Sequence, residues 1–377
     1  MLLKISYLLR SGFFILVVLF LSCKTNTGNQ ELNSYMISGH ISGLKSDSVY
    51  LYNTLTNKKE PSFVKDGNFS FTGKLDFPEM YQVYFDAEED KFINLFLENS
   101  AISINGHIDS LDKILIAGSA SNDEYLNYRK DTKTLRDEFK AADNLLSEAQ
   151  DKMEYEKADS IQLVVDNAAH KILNKVFEYA TANKGSAILP YITFMACMNA
   201  PDKVLADKII DLHGPENKTN PRIAALNKMF ADIVKTAVGS PASDFEMNTS
   251  EGKIISLHAL KGKVVLLDFW ASWCLPCIKG FPELKDIYKK YRGNKFEIIG
   301  FSIDKDKDAW QRVLNNKKLP WPQVVELKGP DGPTPGDYGI MFVPTSYLID
   351  RKGKIAGMNL HGKKLTDKVE ELLKEKN

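Results

Sequence analysis

The sequence predicts an α/β chain in three folded parts: a small antiparallel β domain, a helical region and a C-terminal α/β domain. Three observations predict it. From about Tyr35 to Ala117, apolar and polar residues alternate with turn punctuation, the signature of half-buried strands. Apolar residues then recur three and four apart, as at Ile161, Val164 and Val165 and at Ala168, Ile172 and Val176, which is a helical period. Beyond Val238-Gly239-Ser240-Pro241, strand-like runs alternate with helical ones, as in a sheet covered by helices. A chain of 377 residues is long enough for two or three domains.

Residues 1–22 read as a signal peptide. Lys4 and Arg10 make the start basic, Phe13 to Leu21 is unbroken apolar sequence, and Ser22 is small. The run is short for a spanning helix, although counting from Ile5 leaves an uncleaved anchor as the alternative. Cys23 follows at once. Leu21-Ser22-Cys23 resembles the lipobox of bacterial lipoproteins, which implies lipidation of Cys23; a chance cysteine near an ordinary cleavage site is the alternative. A lipidated chain is anchored to a membrane rather than spanning it, and it works where disulfides persist. Residues 23–35 are then a polar tether. Lys+Arg and Asp+Glu both number 49, so no global basic field favours nucleic acid.

The β domain is expected over 36–120. Ser48-Val49-Tyr50-Leu51-Tyr52 and Asn68-Phe69-Ser70-Phe71 alternate, and Asp66-Gly67-Asn68 and Asn105-Gly106 are turn signals, so a small sandwich is predicted. Over 121–236 Gly and Pro become rare and charges dense, as expected of helices with solvated faces. Over 237–377 the spacing predicts strands at Lys263 to Phe269, Phe296 to Ile303, Thr345 to Ile349 and Lys354 to Met358. Helices are predicted at Pro276 to Tyr291, Asp306 to Asn316 and Thr366 to Lys374. This last part holds every active-site element and is expected to fold alone.

The chemistry is concentrated in Trp270-Ala271-Ser272-Trp273-Cys274-Leu275-Pro276-Cys277. An apolar strand runs into a cysteine at a helix start, with Pro276 in the first turn, where its missing N–H costs nothing. Free N–H groups and the helix dipole there favour a thiolate, so Cys274 reads as the nucleophile with the lower pKa and the greater exposure. Cys277, one turn on, can resolve a mixed disulfide. A zinc site would need further Cys or His ligands; the other cysteines are Cys23 and Cys197, and no His lies near, so no metal is expected. A purely structural bridge closing so short a loop would add little stability. Cys197, in an apolar helical run, reads as buried and inert.

WASWCLPC resembles the thioredoxin superfamily active site, and the sequence from Gly239 onward is similar to TlpA/ResA-type extracytoplasmic thiol–disulfide oxidoreductases. The resemblance implies a C-terminal thioredoxin-like fold, preceded by the antiparallel β domain and the helical region. It implies that Val343-Pro344-Thr345 is the cis-proline loop, with Pro344 placing the substrate chain and Val343 and Thr345 beside it. It implies that Trp273 lines the partner surface, and that Asp268, six residues before Cys274, is a buried acid. There its pKa should rise and let it take a proton from Cys277; a strand-end Asp bonded to backbone is the alternative. Many members carry Glu three residues after the second Cys, where this chain has Gly280, and that role does not transfer to Glu283. The β segment, in "DGNFSFTGKL" and "LFLENSAISINGHI", resembles an N-terminal domain of secreted lipoproteins that has no established activity.

The implied function is reduction of protein disulfides in the periplasm, often in cytochrome maturation. Its partners are envelope protein thiols and disulfides and a membrane electron donor or acceptor, with no cofactor. A disulfide oxidase or isomerase, and an envelope binding protein that uses the fold as a docking surface, are the alternatives.

Overall fold

The computed structural model describes residues 33–86, 90–293 and 295–375. The expected signal peptide, the lipidation site at Cys23 and nearly all of the tether lie outside the described residues.

Two four-stranded sheets open the chain. One has the order Asn68–Gly73, Tyr35–Ser42, Ala101–His107, Leu115–Ala117; the other has the order Lys59–Phe63, Ser48–Asn53, Glu79–Tyr84, Phe92–Leu97. Along Tyr35–Ser42 buried and exposed residues alternate strictly, as a period of two requires when one face is covered. Ile37, Ile41 and Ile104 from the first sheet and Val49, Leu51, Val83 and Leu95 from the second share one apolar cluster, so the sheets form a sandwich. One pairing departs from the antiparallel expectation. Tyr35–Ser42 runs parallel to Ala101–His107, because the first strand sits between two later ones and no hairpin joins it to the last.

The helices Ala120–Asp131, Lys133–Asp151, Tyr155–Ala182, Leu189–Asn199, Lys203–Asp211 and Pro221–Lys235 pack around Leu173, Val176, Ile188, Ile192 and Leu226. Met80 and Phe96 of the sandwich enter the same cluster, so the two parts share a core. Ser119 caps the first helix by accepting from Asn122 N–H.

The C-terminal sheet has the order Gln323–Val325, Phe296–Ser302, Val264–Trp270, Thr345–Ile349, Ile355–Met358. The first three strands are parallel and the last two antiparallel. All seven residues of Val264–Trp270 are buried, as suits a central strand covered on both faces. The helices are Leu275–Tyr291, Lys307–Lys317 and Gly362–Lys374. The short strand Gln323–Val325 and helix Pro333–Asp337 are elements that periodicity did not indicate, being too brief to show a period. The last helix starts at Gly362 rather than Thr366, because Glu283 of the helix Leu275–Tyr291 accepts from Gly362 N–H at 2.6 Å and caps it from outside.

The helical region also reaches the C-terminal domain. Tyr155 O–H donates to Glu283 at 2.6 Å, Lys279 pairs with Asp151 at 3.2 Å, and Lys235 pairs with Asp337 at 2.6 Å. A fragment starting near residue 236 would lose these contacts. Among the described residues, no helix is long and apolar enough to cross a membrane.

Candidate active site

The central strand Val264–Trp270 delivers its C-terminal end to a short turn and then to the helix Leu275–Tyr291. Cys274 is the N-cap, in extended conformation, and its Sγ accepts from Cys277 N–H at 3.2 Å. The sulfur therefore occupies the place that a capping oxygen normally takes, against an otherwise orphaned N–H. Pro276 stands in the first turn. Cys274 and Cys277 are joined in a disulfide.

In the disulfide-bonded protein Cys274 is 4% exposed and Cys277 6%, and both belong to the apolar cluster that includes Trp270, Ala271 and Phe281. The greater exposure expected of Cys274 concerns the reduced pair. The exposed groups are their neighbours, Trp273 at 65% and Leu275 at 59%. Trp270 is fully buried, edge-to-face with Phe281, and its Nε1–H donates to Gln323 at 3.1 Å, so it is packing.

Asp268 lies within the central strand, opposite Gly300 on one side and Ser346 on the other. It is buried, and among the described residues no donor reaches its carboxyl group. Burial pushes its pKa up to about 7, because an unpaired charge is costly away from water. A carboxyl held near neutrality can take and return a proton at working pH.

The Val343–Pro344 peptide is cis. Thr345 pairs with Phe269 across the sheet, so Pro344 lies at the strand end from which the Cys274 turn departs. Val343 packs against the cluster holding both cysteines, and Thr345 Oγ1 donates to Phe342 O at 2.9 Å. The loop carries exposed apolar surface that sequence reading missed, with Phe342 66% and Met341 50% exposed. Like Trp273 and Leu275, these are large apolar side chains left open to solvent.

Asp304 was also missed. It is 1% exposed and accepts from Ser272 N–H and from the hydroxyls of Ser272 and Ser302, tying the turn before Cys274 to the next strand. The only local signal is Ser302-Ile303-Asp304 directly after an apolar strand, a pattern too common to single out. Gly280 faces open space, and Glu283 is engaged by Tyr155 and Gly362. Cys197 is fully buried, its thiol pushed up to about 12, first by burial and then by Asp202, which keeps it unreactive. Among the described residues, no group of three or more His, Cys, Asp or Glu is placed to hold a metal ion.

Residues 238–358 match the AhpC/TSA family, and residues 35–125 match a domain of unknown function, DUF4369. Over 146 residues the chain is 37% identical to thiol-disulfide oxidoreductase ResA of Bacillus thuringiensis (strain Al Hakam), covering 39% of this chain and 82% of that protein. It is 33% identical over 129 residues to ResA of Bacillus subtilis (strain 168), covering 34% of this chain and 70% of that protein. A solved thiol-disulfide oxidoreductase from Bacteroides fragilis NCTC 9343 aligns at 34% identity over 35% of this chain and 99% of its own, with a TM-score of 0.34. Through its C-terminal thioredoxin-like domain, which the ResA proteins match over most of their own length, this chain belongs to the ResA family of thiol-disulfide oxidoreductases and is an enzyme of that class.

Proposed function

We propose that this enzyme reduces protein disulfides outside the cytoplasm, anchored to a membrane by a lipid on Cys23. The observation that carries the reading is the arrangement around Cys274: a sulfur capping a helix N-terminus, bonded to a second sulfur one turn on, on a strand that holds an acid with its pKa near neutrality. In the reduced enzyme the Cys274 thiolate attacks one sulfur of a substrate disulfide. The substrate's other sulfur leaves as a thiolate and takes a proton from water. Asp268 then accepts the proton of Cys277, and the Cys277 thiolate attacks Cys274 Sγ. This closes the Cys274–Cys277 disulfide and releases the second substrate thiol. Two electrons have passed to the substrate, and a membrane dithiol donor returns two to the enzyme. Pro344 and the flanking Val343 and Thr345 hold the substrate chain beside the disulfide, and Trp273 covers its far side.

Replacing Cys277 by Ala removes the resolving sulfur. Turnover on protein disulfides should fall by roughly 10³-fold or more, since the two cysteines act as a unit. A covalent Cys274–substrate adduct should accumulate in cells and release its partner on treatment with dithiothreitol. Absence of any reducible adduct on Cys274 would sink the reading. For the anchor, Cys23→Ala should move the protein from the membrane fraction to the soluble envelope fraction. An unmodified Cys23 on the mature wild-type protein, seen by mass spectrometry, would refute the lipid.

A further inference from the structure

Asp304 lies two residues past the strand Phe296–Ser302, almost fully buried, and all of its hydrogen-bond partners can donate to it. Ser272 N–H lies 2.9 Å from Oδ2 and 3.1 Å from Oδ1. The Ser272 hydroxyl donates to Oδ1 at 2.7 Å and the Ser302 hydroxyl to Oδ2 at 2.7 Å. Ser302 Oγ itself accepts from Asp304 N–H at 3.0 Å, so its single proton is committed to the carboxyl group. Oδ2 thus meets two fixed donors, and among the described residues no Lys or Arg pairs with Asp304. Both oxygens of this side chain therefore meet donors only.

We propose that Asp304 is a positioning residue whose fixed negative charge, clamped under the turn that delivers Cys274, makes the Cys274–Cys277 pair more strongly reducing. The inference rests on Cys274 being the attacking sulfur. Ser272 is two residues before Cys274, which limits their Cα separation to about 7 Å and keeps the carboxylate within about 14 Å of the reacting sulfur. The Cys277 N–H and the helix dipole favour a thiolate there; the carboxylate opposes it.

The other charges on the surrounding elements do not cancel it. Asp268, on the central strand, is also buried and is also an acid. On the helix, Lys279 is exposed and paired with Asp151, and position 280 is glycine. Beyond Asp304, Lys305 is exposed and paired with Asp331, and Asp306 is exposed and caps its own helix. The loop Met341 to Thr345 carries no charge. A reduced pair whose thiolate is disfavoured gives up its two electrons more readily, which lowers its reduction potential. Asp304 touches no sulfur and transfers no proton in this scheme.

The test compares detergent-solubilised full-length proteins equilibrated with reduced and oxidised glutathione. Asp304→Asn keeps an acceptor oxygen and removes the charge. Its dithiol form should be favoured by about tenfold relative to wild type, which is about 30 mV for a two-electron couple. Its Cys274 thiolate, followed by absorbance near 240 nm, should form at lower pH. Ser272→Ala removes one donor and keeps the charge, and should move the equilibrium less than about twofold. If Asp304→Asn does not fold, Asp304→Ser makes the same comparison. An unchanged equilibrium in the neutral variant would overturn the proposal. So would an equal shift in Ser272→Ala, because Asp304 would then act only as a fastener. Glutathione equilibria read the potential whichever way the pair works in the cell, so a failed Cys277→Ala trap would sink the functional reading and leave this one standing.

Discussion

Asp268→Asn is expected to stabilise the folded protein above neutral pH while slowing release of the mixed disulfide. The unfolded chain ionises Asp268 as pH rises past 3.8, whereas the folded protein keeps it protonated up to about 7. Between these values the folded state holds more protons, so stability falls as pH rises through the window. Above it the full cost is in place, about 4 kcal/mol for a gap of about 3 pH units. Asparagine cannot ionise and removes that cost, but its buried amide lacks partners, at about 1–3 kcal/mol. The net gain should be about 1–3 kcal/mol at pH 8 and should turn into a loss of about 1–3 kcal/mol by pH 4. Denaturant unfolding at pH 4, 6 and 8 reads it. Stopped-flow mixing should show unaltered formation of the mixed disulfide and slower resolution, because the amide cannot accept the Cys277 proton. A variant with wild-type stability at every pH would mean that Asp268 is not the buried acid described. Unchanged resolution would mean that the proton leaves through water.

The largest structural effect is expected at the joint between sandwich and helices. Arg222 Nε and Nη2 reach Glu79 at 3.0 and 3.1 Å, Nη2 also donates to Thr54 Oγ1 at 2.7 Å, and both partners of the pair are buried. The guanidinium lies 5.2 Å from the Tyr191 ring and 5.3 Å from the Phe194 ring. Removing Arg222 alone leaves a carboxylate buried without its partner, and Arg222→Met should cost about 3–5 kcal/mol. Adding Glu79→Leu should recover most of that loss, since two apolar side chains replace two desolvated charges. The first unfolding transition should follow this order, while the glutathione equilibrium of the Cys274–Cys277 pair stays put. A cost below about 1 kcal/mol for Arg222→Met would show that the joint is held by Met80 and Phe96 packing instead.

Much of the redox site was legible because its chemistry is local in the chain. Cys274, Pro276 and Cys277 occupy four consecutive positions, so their placement on a helix start follows from capping and proline geometry alone. The strand before them is apolar except for Asp268, which suits a central strand covered on both faces. Asp268, six residues upstream, was expected from the resemblance to the thioredoxin active site. The helical period and the β alternation likewise located the other two parts, since both are read over short windows.

What the sequence alone determined, then, is whatever neighbouring residues dictate: three kinds of secondary structure in order, a disulfide pair at a helix N-terminus, and an acid on the strand beneath it. Only the tertiary structure decided which distant groups meet. Asp304 reaches Ser272 across 32 positions, Gln323 reaches Trp270 across 53, and Tyr155 reaches Glu283 across 128. The parallel pairing of the first β strand and the outside cap on the last helix are of the same kind. A buried polar group must find a partner, but nothing in the residues on either side of it names that partner; only the packed fold does.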